Sequence, residues 1–203
     1  ARSRAAPVAA MRDELEVLPP AGRFGPTPDP SRALRYGLVA AGSGITPVLS
    51  IAWTVLDVEP DSEVVLLYGN RTSGDVMFLD ELADLKDRYP ERLQVLHVLS
   101  REEQESELLS GRLDPERLHR LFATLVPVER VDEWYLCGPF GMVTEGRQAL
   151  LEEMRSRGVE PDERTQEALD RSAERLSQMG TTQIKRQLEA GEHEGISHYL
   201  SPI

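Results

Sequence analysis

The run Tyr36-Gly37-Leu38-Val39-Ala40-Ala41 is almost wholly apolar, and it breaks abruptly into Gly42-Ser43-Gly44. An apolar run without alternation is the pattern of a strand buried on both faces, as in a parallel sheet. A helical pattern resumes from Pro47 to Val58, with proline in the first turn, where its missing N–H costs nothing. A strand that turns through glycines into a helix N-terminus can receive an anion. Glycine lets the backbone approach closely, and the first helical N–H groups and the macrodipole favour negative charge. The residues concerned are Gly42, Ser43, Gly44, Ile45, Thr46 and Pro47. An ordinary βα turn uses the same short Gly-x-Gly, so later stretches have to decide between the two.

Three later stretches repeat the pattern. Val64 to Tyr68 reads as a second strand ending in Gly69-Asn70-Arg71-Thr72. An amphipathic helix is expected next, with Phe78, Leu79, Leu82 and Leu85 on one face. Leu93 to Leu99 reads as a third strand ending in Ser100-Arg101-Glu102, followed by a Glu-rich loop to Gly111. Asp114-Pro115 then opens a helix as N-cap and first helical residue. Glu133 to Cys137 reads as a fourth strand ending in Gly138-Pro139-Phe140-Gly141-Met142, and a helix is expected over 143–157. Strands alternating with helices imply an α/β fold with a doubly wound, open parallel sheet. In such sheets ligands bind beyond the carboxyl ends of the strands, where all four unusual stretches fall. Their convergence predicts a dinucleotide-sized crevice.

The flanks differ in character. Residues 1–30 read as an N-terminal arm: a loose Ala/Arg-rich start, a short strand near Leu15 to Leu18, and a linker with Pro26, Pro28 and Pro30. Residues 31–160 form the nucleotide-binding domain. Residues 161–203 are expected as a polar helical tail with sparse apolar positions at Leu169 and Leu176 and a break at Gly180.

Composition narrows the partners. A net charge of −12 argues against nucleic acid and anionic membrane surfaces. The single cysteine, Cys137, excludes an internal disulfide and an iron–sulfur cluster built from these residues alone. No apolar run is long enough to cross a bilayer, and the start lacks the apolar core of a secretory signal, so the expected location is cytoplasmic.

Arg71 and Arg101 each follow a strand end, beside Asn70 and Ser100. Their guanidinium forks suit a 2′-phosphate, with the Ser100 hydroxyl adding a donor, although solvated arginines are common. No acidic residue ends the second strand, where a ribose 2′-hydroxyl would be read, which favours NADPH over NADH. Cys137 either lines the pocket of a nicotinamide ring or is a buried structural cysteine. His97 lies in an apolar strand, and His119 shares a helix with Arg117 and Arg120. His193 and His198 complete no metal-ligand pattern, so metal catalysis is not expected. With no nucleophile, base or metal in evidence, the chemistry falls to a cofactor.

The ordered set Leu15 to Phe24, Ala40-Ala41-Gly42-Ser43-Gly44-Ile45-Thr46-Pro47, Leu67 to Arg71, Leu99 to Glu102 and Cys137 to Met142 resembles the NADP(H)-binding domain of the ferredoxin–NADP reductase superfamily. The likeness is greatest to reductase components of the phenylacetyl-CoA epoxidase type and covers about residues 13–160. It implies that Gly42 to Pro47 cradle a pyrophosphate, and that Asn70, Arg71, Ser100 and Arg101 surround the adenosine phosphate. Cys137, Gly138 and Pro139, with Met142, would border the nicotinamide, Cys137 being the one residue placed at the reacting ring. The implied reaction is hydride transfer from NADPH to FAD, then electron transfer to an iron–sulfur acceptor. The family's flavin barrel with its Arg-x-Tyr-Ser/Thr motif is represented here only by a final strand near Leu15 to Phe24. Residues 161–203 do not match the ferredoxin domain of epoxidase-type reductases. The flavin is therefore expected from a further domain or a partner. The competing expectation is a catalytically silent remnant that binds nucleotide or docks a partner.

Overall fold

The computed structural model describes residues 24–172. The strand expected near Leu15 to Leu18, and Leu176, Gly180, His193 and His198 of the tail, lie outside the described residues.

Four strands, β1 (Arg35–Ala41), β2 (Glu63–Asn70), β3 (Leu93–Leu99) and β4 (Glu133–Cys137), form one parallel sheet in the order β3-β2-β1-β4. Helices α1 (Ile45–Val58) and α2 (Leu79–Arg88) contribute Val48, Ile51, Val55, Leu82 and Leu85 to the core on one face. Helices α3 (Pro115–Thr124) and α4 (Phe140–Ser156) cover the other face with Leu118, Leu121, Phe122, Val143 and Leu150. The fold is thus the doubly wound α/β architecture expected. β1 is buried through its centre because it lies between β2 and β4 with helices on both faces, which is why its apolar run does not alternate. Fully burying each leucine-sized side chain is worth about 1.5–3 kcal/mol.

Several local expectations are corrected. Helix α1 starts at Ile45, and α4 starts at Phe140 rather than at residue 143, directly after Pro139. Phe78 lies ahead of α2 as its left-handed N-cap (φ 58°), and Leu79 is 49% exposed. Only Leu82 and Leu85 of the expected apolar face are buried, because the helix begins one residue after Phe78 and turns Leu79 outward. His119 meets Glu152 of α4 at 3.1 Å, so a carboxylate from the neighbouring helix, not only its own arginines, faces its ring.

Two tethers close the ends of the domain. Buried Glu59 accepts from the Asp29 N–H (3.1 Å), the Tyr36 hydroxyl (3.0 Å) and the Ser62 hydroxyl (2.7 Å), tying the linker to the base of β1. Residues 163–172 are helical and lie along the outer edge of β4. Ser172 Oγ accepts from the Leu136 N–H at 3.1 Å, Thr165 Oγ1 donates to the Asp132 carbonyl at 2.7 Å, and Ala168 and Leu169 are fully buried. An exposed strand edge would otherwise offer unpaired N–H and C=O groups.

Candidate functional site: a cleft at the strand carboxyl ends

The four strand ends converge on one cleft of about 700 Å³, within the usual range of about 300–1,000 Å³ for small-molecule sites. Of the residues singled out in the sequence, Gly42, Asn70, Arg71, Ser100, Arg101, Pro139 and Met142 line it. Ser43 and Thr46 are exposed beside it, Pro47 is half-buried, and Gly44 and Ile45 are buried beneath it. Cys137 is 4% exposed and packs in the core on the α1 face, and the wall at its strand end is made by Pro139, Gly141 and Met142. Gly138 is packed against Met142 and Ala41.

The glycine turn has two different demands. Gly44 approaches β4 so closely that a Cβ there would lie 2.1 Å from the Cys137 carbonyl oxygen. Gly42 adopts a left-handed φ of 51° and has open space where a Cβ would stand. The Tyr68 hydroxyl supports the turn from below, donating to the Gly42 carbonyl at 3.2 Å and accepting the Met77 N–H at 3.3 Å. Burial raises the Tyr68 pKa, so the hydroxyl keeps its proton and its donor role. Neither α1 nor α4 carries an acidic side chain in its first turn, so the positive ends of both macrodipoles are left uncompensated at the cleft. A turn with an open glycine, flanked by two helix N-termini, fits a pyrophosphate. Asn70 is half-buried on the cleft wall, its side chain beside the Tyr68 hydroxyl.

The β2 and β3 ends are bound to each other beyond the sheet. Ser100 N–H donates to the Asn70 carbonyl (2.9 Å), and both N–H and Oγ of Ser73 donate to Glu102 (2.7 and 2.9 Å). Thr72 and Asp75 form a reciprocal capping box on the 3-10 turn Ser73–Asp75. The Thr72 hydroxyl, and after it the Arg71 guanidinium at 2.8 Å, hold the Asp75 carboxyl below the usual carboxylate range. Among the described residues no cluster of three or more His, Cys, Asp or Glu is placed to hold a metal ion, and no helix is long and apolar enough to cross a membrane.

Sequence reasoning missed Asp75, Met77, Gly111, Arg112, Asp114 and Glu145 on the cleft wall. Position could have found Arg112. It stands two residues before the N-cap of a crossover helix, and such helices begin at the carboxyl side of the sheet.

Residues 38–148 match the family model of the oxidoreductase NAD-binding domain. The chain is 50% identical over 136 residues to a component of the 1,2-phenylacetyl-CoA epoxidase of Escherichia coli, covering 67% of this chain and 38% of that protein. It is 39% identical over 138 residues to the ferredoxin reductase component of the 3-ketosteroid-9-alpha-monooxygenase of Mycobacterium tuberculosis, covering 67% and 34%. Among solved structures, the cytochrome P450 reductase of Amycolatopsis superposes with a TM-score of 0.56 at 27% identity, over 66% of this chain and 39% of that one. The chain thus spans less than two fifths of the length of these curated relatives. With its parallel sheet, glycine turn and strand-end cleft, the chain belongs to the oxidoreductase NAD-binding domain family, with a ferredoxin reductase-like fold.

Proposed function

We propose that this chain is the NADPH-binding module of a flavin-dependent oxidoreductase, delivering reducing equivalents to FAD carried by another domain or a partner and onward to an iron–sulfur acceptor. One observation carries the reading. A glycine turn at a helix N-terminus, arginines at two neighbouring strand ends and the Pro139–Met142 turn all meet on a single cleft. In this reading Gly42 to Pro47 bind the pyrophosphate through backbone N–H groups, and the arginine end of the cleft takes the adenosine 2′-phosphate. Cys137, Gly138, Pro139 and Met142 border the nicotinamide at the opposite end, with Cys137 supporting the ring from within the core. Reduced nicotinamide supplies a hydride when bound. The protein's part is to orient it and to present one ring face outward. Phe140, 61% exposed between cleft-lining Pro139 and Gly141, offers the apolar surface on which a flavin-bearing partner would seat.

The test is a visible absorption spectrum of the purified chain before and after anaerobic addition of NADPH, paired with titrations against NADPH and NADH. The reading expects NADPH to bind more tightly than NADH. It expects reduction of flavin only when a flavin-bearing partner or domain is present. A chain that binds neither nucleotide would overturn it.

A further inference from the structure

Tyr68 does not line the cleft, yet three residues that do, Gly42, Asn70 and Met77, meet at its hydroxyl. They come from three segments: the glycine turn after β1, the end of β2 and the rim ahead of α2. A phenol hydroxyl has one proton to give and two lone pairs to fill. The Met77 N–H donates to it at 3.3 Å, and the Asn70 side chain stands at the same oxygen. Burial raises the Tyr68 pKa, and the Met77 N–H and Asn70 both oppose that rise, as donors to the oxygen do. With its lone pairs so engaged, the hydroxyl gives its proton to the Gly42 carbonyl at 3.2 Å. The Tyr68 ring is fully buried and tilts against the His97 imidazole, 5.9 Å between centroids, so packing fixes where the oxygen lies.

What this hydroxyl governs is the face that the glycine turn shows to the cleft. A trans peptide is planar, and its C=O and N–H point in opposite directions. The Gly42 carbonyl is drawn inward by the Tyr68 hydroxyl and by the Ile45 N–H. The Ser43 N–H belongs to the same peptide and so points the other way, outward from an exposed residue. The first N–H groups of a helical segment have no acceptor within it, so this donor is free to meet a ligand. Gly42 permits the orientation with its left-handed φ of 51°. The other donor to the phenol is held as firmly. Met77 is followed directly by Phe78 at φ 58°, a conformation that a residue with a side chain keeps only where its surroundings hold it.

We infer that Tyr68 is a positioning residue for the dinucleotide, its hydroxyl fixing the Gly42–Ser43 peptide so that the Ser43 N–H faces the pyrophosphate before any ligand arrives. The inference rests on the nucleotide-binding reading above and is independent of the choice between NADPH and NADH. A donor set in place beforehand spares the ligand the cost of ordering it. The fold itself keeps its supports without this hydroxyl. The Gly42 carbonyl retains the Ile45 N–H, and the ring retains its place in the core on the α1 face. Loss of the hydroxyl therefore falls on binding.

The test compares the whole chain with its Tyr68→Phe variant, titrating NADPH and NADH into each by calorimetry. Tyr68→Phe is expected to weaken both nucleotides by the same factor, about three- to tenfold, as for one lost neutral hydrogen bond. A second readout, which a merely structural role would not move, is the Ser43 amide resonance in a proton–nitrogen NMR spectrum. Saturating nucleotide should shift it strongly in the unaltered protein and clearly less in Tyr68→Phe, because the N–H no longer points at the phosphate. Equal affinities in the two proteins, equal Ser43 shifts at saturation, or a loss confined to one nucleotide would each overturn the assignment while the nucleotide-binding reading stands. A Tyr68→Phe chain that fails to fold also overturns it, since the hydroxyl would then serve the fold and not the ligand. If the unaltered protein binds neither nucleotide, both fall.

Discussion

The backbone N–H of Arg101 donates to the carbonyl oxygen of Arg71 at 2.7 Å, two residues beyond the end of β3 and one beyond the end of β2. The strand ladder therefore continues into the loops, and main-chain atoms hold both residues at the cleft. Side chains there can change without loss of the scaffold. Arg101→Ala is expected to shift stability by less than about 0.5 kcal/mol, as for an exposed surface site. It should weaken NADPH binding with NADH little affected. A thermal melt and paired nucleotide titrations check both halves, and equal loss for the two nucleotides would refute the 2′-phosphate role.

Gly44→Ala tests the junction of the glycine turn with β4. The added methyl would sit 2.1 Å from the Cys137 carbonyl oxygen and 2.5 Å from its carbon, and backbone cannot step aside as a side-chain tip can. Overpacking of this kind costs about 1–3 kcal/mol, and the turn must open away from β4 to relieve it. Chemical denaturation should show that loss together with weakened binding of both nucleotides, because the pyrophosphate turn is common to them.

Much of this arrangement was legible in the sequence because the strands are buried on both faces. Tyr36 to Ala41 and Glu133 to Cys137 carry near-continuous apolar runs, and the strand end is where the run stops. The helix starts were less legible. Ile45 and Phe140 begin α1 and α4 earlier than expected, because the glycine turn and Pro139 run directly into a helix, Ile45 entering the core and Phe140 facing solvent. Leu79 showed the opposite error, an apolar residue in helical register that the left-handed cap at Phe78 turns to solvent. Arg112 was hidden because the return of residues 104–113 to β3 depends on bonds from the Gln104 and Arg117 side chains to main-chain carbonyls, which leave no periodicity.

The edge of β4 offers a test of stability separate from the cleft. Ser172→Ala removes the hydroxyl that accepts the buried Leu136 N–H. Leaving a buried donor unsatisfied costs about 1–3 kcal/mol. Denaturant unfolding should reveal that loss, while nucleotide affinity should stay unchanged because Ser172 lies on the β4 edge and does not line the cleft. A loss of binding larger than the loss of stability would place this helix in the site after all.

Acid should act on the rim of the cleft through Asp75. Its carboxyl lies below the ordinary value of 3.8 in the folded protein, held there first by the Thr72 hydroxyl and then by Arg71. The stabilisation it brings is complete above that ordinary value and is lost as pH falls through the lowered one. Asp75→Asn should therefore melt earlier than the unaltered protein at neutral pH, and the gap should close as the medium is acidified below 3.8. A gap that stays constant across that range would exclude the carboxylate as its source.

The hydrogen bonds between the Asn70–Arg71 and Ser100–Arg101 segments use only peptide groups, which every residue except proline supplies in full. In the function proposed above, choice of coenzyme is thereby uncoupled from folding. A lineage, or a protein engineer, can exchange the side chain at 101 on the same frame, much as a lock is rekeyed without rebuilding the door.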